Sequence, residues 1–156
     1  MALDPTARES NVLDSIKKYF YDNLKTTENL KIFFNRIFAA PVNITDVKED
    51  KFVSIGLHNI DLGNLASAVL KIHLFAKKDY EGFKLTQLRD TVMGYLIDES
   101  TTDGLGRIDL YKSDPIVPWT LLGGMTVQVV FESEHETLSD GTKLKYIIAN
   151  LKWGSV

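Results

Sequence analysis

Residues 65–136 constrain the fold of this chain more than any other part of it. They open with the alternating stretch LASAVLKIHLFAKK and pass through DYEGFK into LTQLRDTVMGYLID, whose apolar positions repeat at helical spacing. RIDLY follows, then the proline-bounded apolar stretch PIVPWTLLGG, then a second long alternating stretch, MTVQVVFESEHE. In the first stretch Ala66, Ala68, Leu70, Ile72 and Leu74 share one face, and Ser67, Val69, Lys71, His73 and Phe75 share the other. The first is the better core face, and its two alanines leave room for a helix to approach. Leu85, Leu88, Val92 and Leu96 form the helical stripe, with Thr86 as a plausible cap. Gly94 inside that helix costs about 1 kcal/mol relative to alanine, which close packing would explain. In the second stretch Val127, Val129 and Phe131 are expected to face inward. Gln128, Val130, Glu132, Glu134 and Glu136 are expected to face the other way.

The flanking regions extend the same pattern. Asp4-Pro5 reads as a cap and first-turn proline, and Val12, Leu13, Ile16, Phe20 and Leu24 recur at helical spacing, so a helix is expected over about residues 6–23. Lys25-Thr26-Thr27 is expected to end it. LKIFFNRIF, residues 30–38, reads as a strand, and Val53, Ile55 and Leu57 alternate as a second short one. Residues 59–64 read as a loop. Asp140-Gly141 is a hairpin signal ahead of a last strand, LKYIIANLKW. The sum is one α+β domain over residues 1–156, with a mainly antiparallel sheet and two helices packed on it.

Composition removes several classes of function. The 156 residues, 44% hydrophobic and 25% charged, suffice for a core without staples. The absence of cysteine removes disulfides, thiolate metal sites and cysteine nucleophiles together. A formal charge of −3 gives no general attraction to nucleic acid, and Lys17-Lys18 and Lys77-Lys78 are too small for a basic footprint. MALDPTARES has neither the basic start nor the apolar run of a signal peptide, and no apolar run reaches the ~18 residues of a membrane span. A soluble intracellular protein is expected, so the sequon at Asn43-Ile-Thr45 carries no meaning.

No catalytic or ligand-binding constellation emerges. His58, His73 and His135 fall on three separate expected strands without metal-site spacing, and the bland reading is surface or interface histidines. There is no G-x-S-x-G, and Gly104-Leu105-Gly106 lies in the reverse order for a phosphate loop. Gly123-Gly124 lacks the Lys-Ser/Thr of a P-loop, so both glycine pairs read as turns. Catalytic, cofactor and metal residues are therefore each read as none. The row Glu132, Glu134, Glu136 reads first as a solvated sheet face. Its sharper reading is a negative surface that repels phosphate, which makes sense only within a ring of subunits.

Two features favour a partner. The stretch from Pro115 through Trp119 to Leu122 is too apolar to stay exposed on a monomer, so it packs on its own domain or meets another chain. Val69 and Phe75 on the polar face of their strand, with Tyr146 and Ile148 outward on the last strand, suggest a sheet covered on both sides. Val69, Phe75, Trp119, Leu121 and Leu122 are the expected subunit contacts.

The order of elements resembles the tail terminator proteins of long-tailed bacteriophages, over nearly the whole chain. The resemblance is carried by the N-terminal amphipathic helix, the early strand pair, LASAVLKIHLFA, LTQLRDTVMGYLID with its LRD opening, RIDLY, and TVQVVFESEHE. It implies a tail-terminator-like fold and a structural, non-enzymatic role: a homo-oligomeric ring, hexameric in that family, that caps the tail tube and stops its polymerisation. It further implies contacts with the tail tube protein and a neck or head-completion protein, with DNA passing the lumen without specific binding and Glu132 and Glu134 as lumen-facing candidates. The expected location is the virion tail, assembled in the host cytoplasm, with no membrane and no cofactor. The extended arm from residue 140 to 153 departs from the simplest members. Another head–tail connector, neck or baseplate part, or its equivalent in a contractile injection particle, is the related alternative. A small enzyme, or a monomeric ligand-binding domain with the Trp119 loop as a lid, comes from a different class.

Overall fold

The computed structural model describes residues 8–35, 47–62, 65–79, 81–102, 104–112, 120–138 and 141–154. Helix α1 is Glu9–Phe20 and runs on as a π-helical segment, Tyr21–Thr27. Strands β1 (Lys31–Phe34), β2 (Lys51–Asp61) and β3 (Leu65–Ala76) follow, then helix α2 (Phe83–Gly94). The chain closes with β4 (Gly106–Lys112), β5 (Thr120–Glu132), β6 (Glu136–Thr137) and β7 (Lys143–Gly154). The architecture is α+β, dominated by a mostly antiparallel sheet.

Strand order is β1-β2-β3-β7-β5-β4, with β6 pairing the far end of β7. Among the described strands only β1 against β2 is parallel. The β3–β7 ladder is the spine, running without a break from Leu65↔Gly154 to Ala76↔Lys143. One side of the sheet carries Leu70, Ile72 and Leu74 on β3, Val53 and Ile55 on β2, and Ile147, Ala149 and Leu151 on β7, all buried. Both helices add to this core, α1 through Val12, Ile16 and Phe20, α2 through Leu85, Leu88 and Val92. Ala66, one of the two alanines on β3, stands opposite the buried Trp153 in the ladder.

The sheet curls until its two edges flank the same helix. Lys17 Nζ lies 5.9 Å from the Phe34 ring on β1, while its neighbour Lys18 lies 5.6 Å from the Tyr111 ring on β4. An edge strand leaves a row of backbone groups unpaired, and α1 satisfies part of that demand. The fully buried Ser15 hydroxyl accepts the Tyr111 N–H at 2.7 Å and donates to the Asn11 carbonyl at 2.6 Å. At the opposite edge β1 pairs only with Phe52 to Ile55. The Asn35 carboxamide oxygen then takes the Leu57 N–H at 3.3 Å, with Asn35 at φ 53°.

Several boundaries differ from the sequence reading. Residues 25–27 continue the first helix in π form, which ends where Asn29 turns left-handed at φ 56° and Leu30 N–H bonds the Leu24 carbonyl. β2 runs to Asp61, past the expected loop start, because a bulge between His58 and Asp61 keeps it paired with β3. Gly123 and Gly124 lie inside β5, and Gly106 inside β4, where a Cβ would meet the Leu96 carbonyl oxygen at 2.3 Å. α2 starts at Phe83, and its cap is Asp79, whose carboxylate accepts the Lys84 and Leu85 N–H groups at 3.2 and 2.8 Å. Thr86 instead donates to the Gly82 carbonyl. Gly94 is exposed, and a Cβ added there would meet nothing within 4 Å, so close packing does not account for it. The Asp4-Pro5 cap, residues 36–38 of the first expected strand and Asp140 of the hairpin signal lie outside the described residues.

Two outcomes test these assignments. Ser15→Ala orphans the Tyr111 N–H beside a buried helix and should lower stability by about 1–3 kcal/mol in urea unfolding, with faster exchange of the Tyr111 amide. A loss within error would show that α1 does not hold the β4 edge. Gly94→Ala should raise stability by about 0.4–1 kcal/mol, since the helix gains propensity without a clash.

Candidate interaction surfaces and the ion cluster

The acidic row expected on β5 does not form, and the cause is one residue. A bulge between Val129 and Phe131 inserts Val130, so pairing resumes as Phe131↔Ile148 and Glu132↔Ile147. Side-chain parity inverts beyond it. Glu132 therefore turns to the helix-bearing side of the sheet, whereas Phe131 turns to the open side and is 49% exposed. Glu134 sits exposed in the bend after β5, and Glu136 lies on β6 opposite Leu144. Three consecutive apolar residues, Val129-Val130-Phe131, break the alternation and were the signal available in sequence.

Glu132 is the centre of an ion cluster. Arg89 on α2 grips it bidentately, Nε to Oε1 at 2.6 Å and Nη2 to Oε2 at 3.0 Å. Lys145, buried on β7, donates to the same Oε1 at 2.6 Å, and Arg89 also reaches Asp90 at 2.9 Å. The Arg89 hydrogen bonds draw the Glu132 carboxyl down to about 2 from its ordinary 4.5; burial opposes this and Lys145 reinforces it. The same pairing, with Asp90, holds the Arg89 guanidinium above its usual range. Arg89, Asp90, Glu132 and Lys145 themselves line an open cleft of about 380 Å³, together with Thr86, Ser133 and His135. The cluster ties α2 to β5 and β7.

The histidines do not converge on a metal, and no group of three or more His, Cys, Asp or Glu able to hold one occurs among the described residues. His58 and His73 share the open side of the sheet, and His135 borders the cleft near Gly82. Burial, then Lys71 and His58, hold the His73 imidazole below its usual range.

That open side carries a continuous row of rings. Phe33 meets Phe52 edge-on at 6.0 Å, Phe52 stacks on Phe75 at 4.6 Å, and Phe75 lies 6.3 Å from His73. His73 lies 5.7 Å from Tyr146, and Tyr146 lies 5.8 Å from Phe131. The row crosses β1, β2, β3, β7 and β5. One end is closed over by Val47 and Leu138, so Phe75 is only 2% exposed and serves a small core of its own chain. This corrects the expectation that Phe75 offers itself to a partner. The other end is open, where Val69, Ile148 and Tyr146 are half-buried and Val130 is 49% exposed. Lys71 Nζ lies 4.6 Å from the Tyr146 ring. Of the remaining expected contacts, Leu122 packs partly buried on the main core and Leu121, opposite Tyr111, is 60% exposed. Trp119 and the apolar residues 115–118 lie outside the described residues.

No family model matches the chain, and no curated protein matches it. A solved structure that bears no functional name aligns with 90% of this chain and 94% of its own, at a TM-score of 0.51 and 11% identity. At that identity the likeness speaks for the α+β fold alone. No helix of the described residues is long and apolar enough to cross a membrane.

The ion cluster makes a pH prediction with a defined sign. A carboxyl held at about 2 in the fold binds fewer protons than its unfolded counterpart near 4.5, so its contribution is complete above 4.5 and is lost as pH falls towards 2. Discounted for partial exposure, that contribution is on the order of 1–2 kcal/mol. Glu132→Gln should lower stability near neutrality by about 1–3 kcal/mol, because Lys145 loses its buried counter-charge. The gap between variant and wild type should narrow as pH falls below 4.5 in urea melts. A pH-independent gap would remove the ion pair as its cause.

Proposed function

We propose that this chain is a structural assembly subunit, and specifically a tail terminator of a long-tailed phage. In this reading it forms a closed homo-oligomeric ring on the end of the tail tube, stops tube polymerisation and offers the ring's other side to a neck or head-completion protein. It acts by geometry and binding, without catalysis or cofactor, within the virion tail and away from membranes. DNA passes its lumen without specific contact, and exposed Glu134 is the remaining candidate for lumen lining now that Glu132 is committed to Arg89 and Lys145.

The observation that carries this is the sheet face on which, among the described residues, no helix packs. Antiparallel sheets leave one side to water when that side is polar. Here the side ends in Phe131 and Val130, each 49% exposed, beside Val69, Ile148 and Tyr146. Leu121, 60% exposed, adds a further apolar group on β5. Such surface fits a chain that buries it in an oligomer. Head-to-tail contacts that close on themselves generate a ring.

Native mass spectrometry and light scattering of the full chain, alone and with a tail tube protein, test the reading. A ring mass in either condition is expected. Leu121→Asp should weaken assembly about 10- to 100-fold, the loss of roughly 1.5–3 kcal/mol of apolar burial, with an unchanged melting curve. Monomer alone at high concentration, and still with the tube protein present, would sink the proposal.

A further inference from the structure

We infer that the charged cleft between α2 and the bend after β5 is a binding site for a small zwitterion of the amino-acid class. The ligand's carboxylate sits at the floor, and its ammonium sits at the rim.

The floor is built around Lys145. Its side chain is only 9% exposed, yet among the described residues its ammonium has a single acceptor, Glu132 Oε1. An ammonium carries three donors and a guanidinium carries five. Arg89 directs two of its N–H groups to Glu132 and one to Asp90. Both cations therefore keep N–H groups without a described protein acceptor, and both line the cleft. A donor left unpaired on a nearly buried side chain is unfavourable, so this floor calls for oxygens from outside the chain.

The rim has the opposite sign. Thr86, Arg89 and Asp90 stand at i, i+3 and i+4 of α2, and so share the helix face that walls the cleft. Side-chain exposure rises along the charges, from 9% for Lys145 through 27% for Glu132 and 34% for Arg89 to 65% for Asp90. Asp90 gives Oδ1 to Arg89, and its Oδ2 has no described donor. A spare acceptor thus stands at the mouth and spare donors stand below it.

Charge and polarity select the ligand. The cleft is lined by polar and charged side chains throughout, which disfavours an apolar occupant, and its volume of about 380 Å³ suits a small molecule. Arg89 and Lys145 balance Glu132 and Asp90, so a simple anion or cation gains nothing from the lining as a whole. A molecule with a carboxylate at one end and an ammonium at the other uses both ends of the gradient and stays neutral. Bound there, it joins α2 to the bend at Ser133 and His135, beside the fastening that Glu132 already makes.

Calorimetric titration of the full chain tests this. Glycine, β-alanine and γ-aminobutyrate serve as zwitterions of increasing charge separation, with acetate and methylammonium as single-charge controls. At least one zwitterion should bind about tenfold more tightly than either control, the gain from one further charged hydrogen bond at a partly exposed site. Asp90→Asn alters an exposed side chain, and a matched melting curve verifies its fold. It should remove that tenfold preference without weakening acetate. No binding of any zwitterion, acetate binding as tightly as the best of them, or a preference that survives Asp90→Asn would each overturn the proposal. The cleft lies within one copy, so these outcomes leave the ring reading untouched, and a chain that proves monomeric leaves the cleft untouched.

Discussion

A six-strand path that curls until its first and last strands face one helix leaves two rows of backbone groups in need of partners, and α1 stands between them. The Ser15 hydroxyl is the point of contact at the β4 edge, where it takes the Tyr111 N–H while bonded to Asn11. An aliphatic residue there would bury as much surface but leave that donor unpaired, which costs more than a typical hydrogen bond gains. The curl also fixes which side of the sheet can hold the core. The helices and the main core share the inside, while the outside holds the small Phe52–Phe75 core at one end and half-buried or exposed side chains at the other.

The second fastening is the Glu132 cluster. A bulge in β5 turns one carboxylate through the sheet to meet Arg89 of α2 and Lys145 of β7. The same inserted residue throws Phe131 outward. One local irregularity therefore does two things: it pins α2 to the sheet by a charged bond, and it extends the aromatic row to an exposed ring. Bulges at sheet ends commonly re-aim side chains in this way.

The spine of the fold was legible because its signals are local. LASAVLKIHLFA alternates cleanly and is β3, and Leu85, Leu88, Val92 and Leu96 are the buried stripe of α2 and the turn after it. What sequence reasoning missed depended on pairing. Period-2 counting assigns Phe131 and Glu132 to faces correctly only while the register holds, and the bulge breaks it. Phe75 looked available because its own strand puts it on the outer side, but Phe52, Val47 and Leu138 come from elsewhere in the chain to cover it. Asp79 as the cap of α2 was hidden for a related reason: it lies outside the helix and reaches back to Lys84 and Leu85 through a left-handed Gly82. The interface candidates divide along the same line, since Leu121 and Leu122 are neighbours in sequence while the bulge opposite Leu110 and Tyr111 gives them different surroundings.

The distribution of exposed apolar groups bears on symmetry. An isologous pair buries one patch against its own copy, which suits a molecule with a single apolar surface. This chain has two, Phe83 with Ile97 beyond the core-side helix and Val130 with Phe131 on the far side of the sheet. Pairing unlike patches head to tail would generate a ring where the rotation closes and an open filament where it does not.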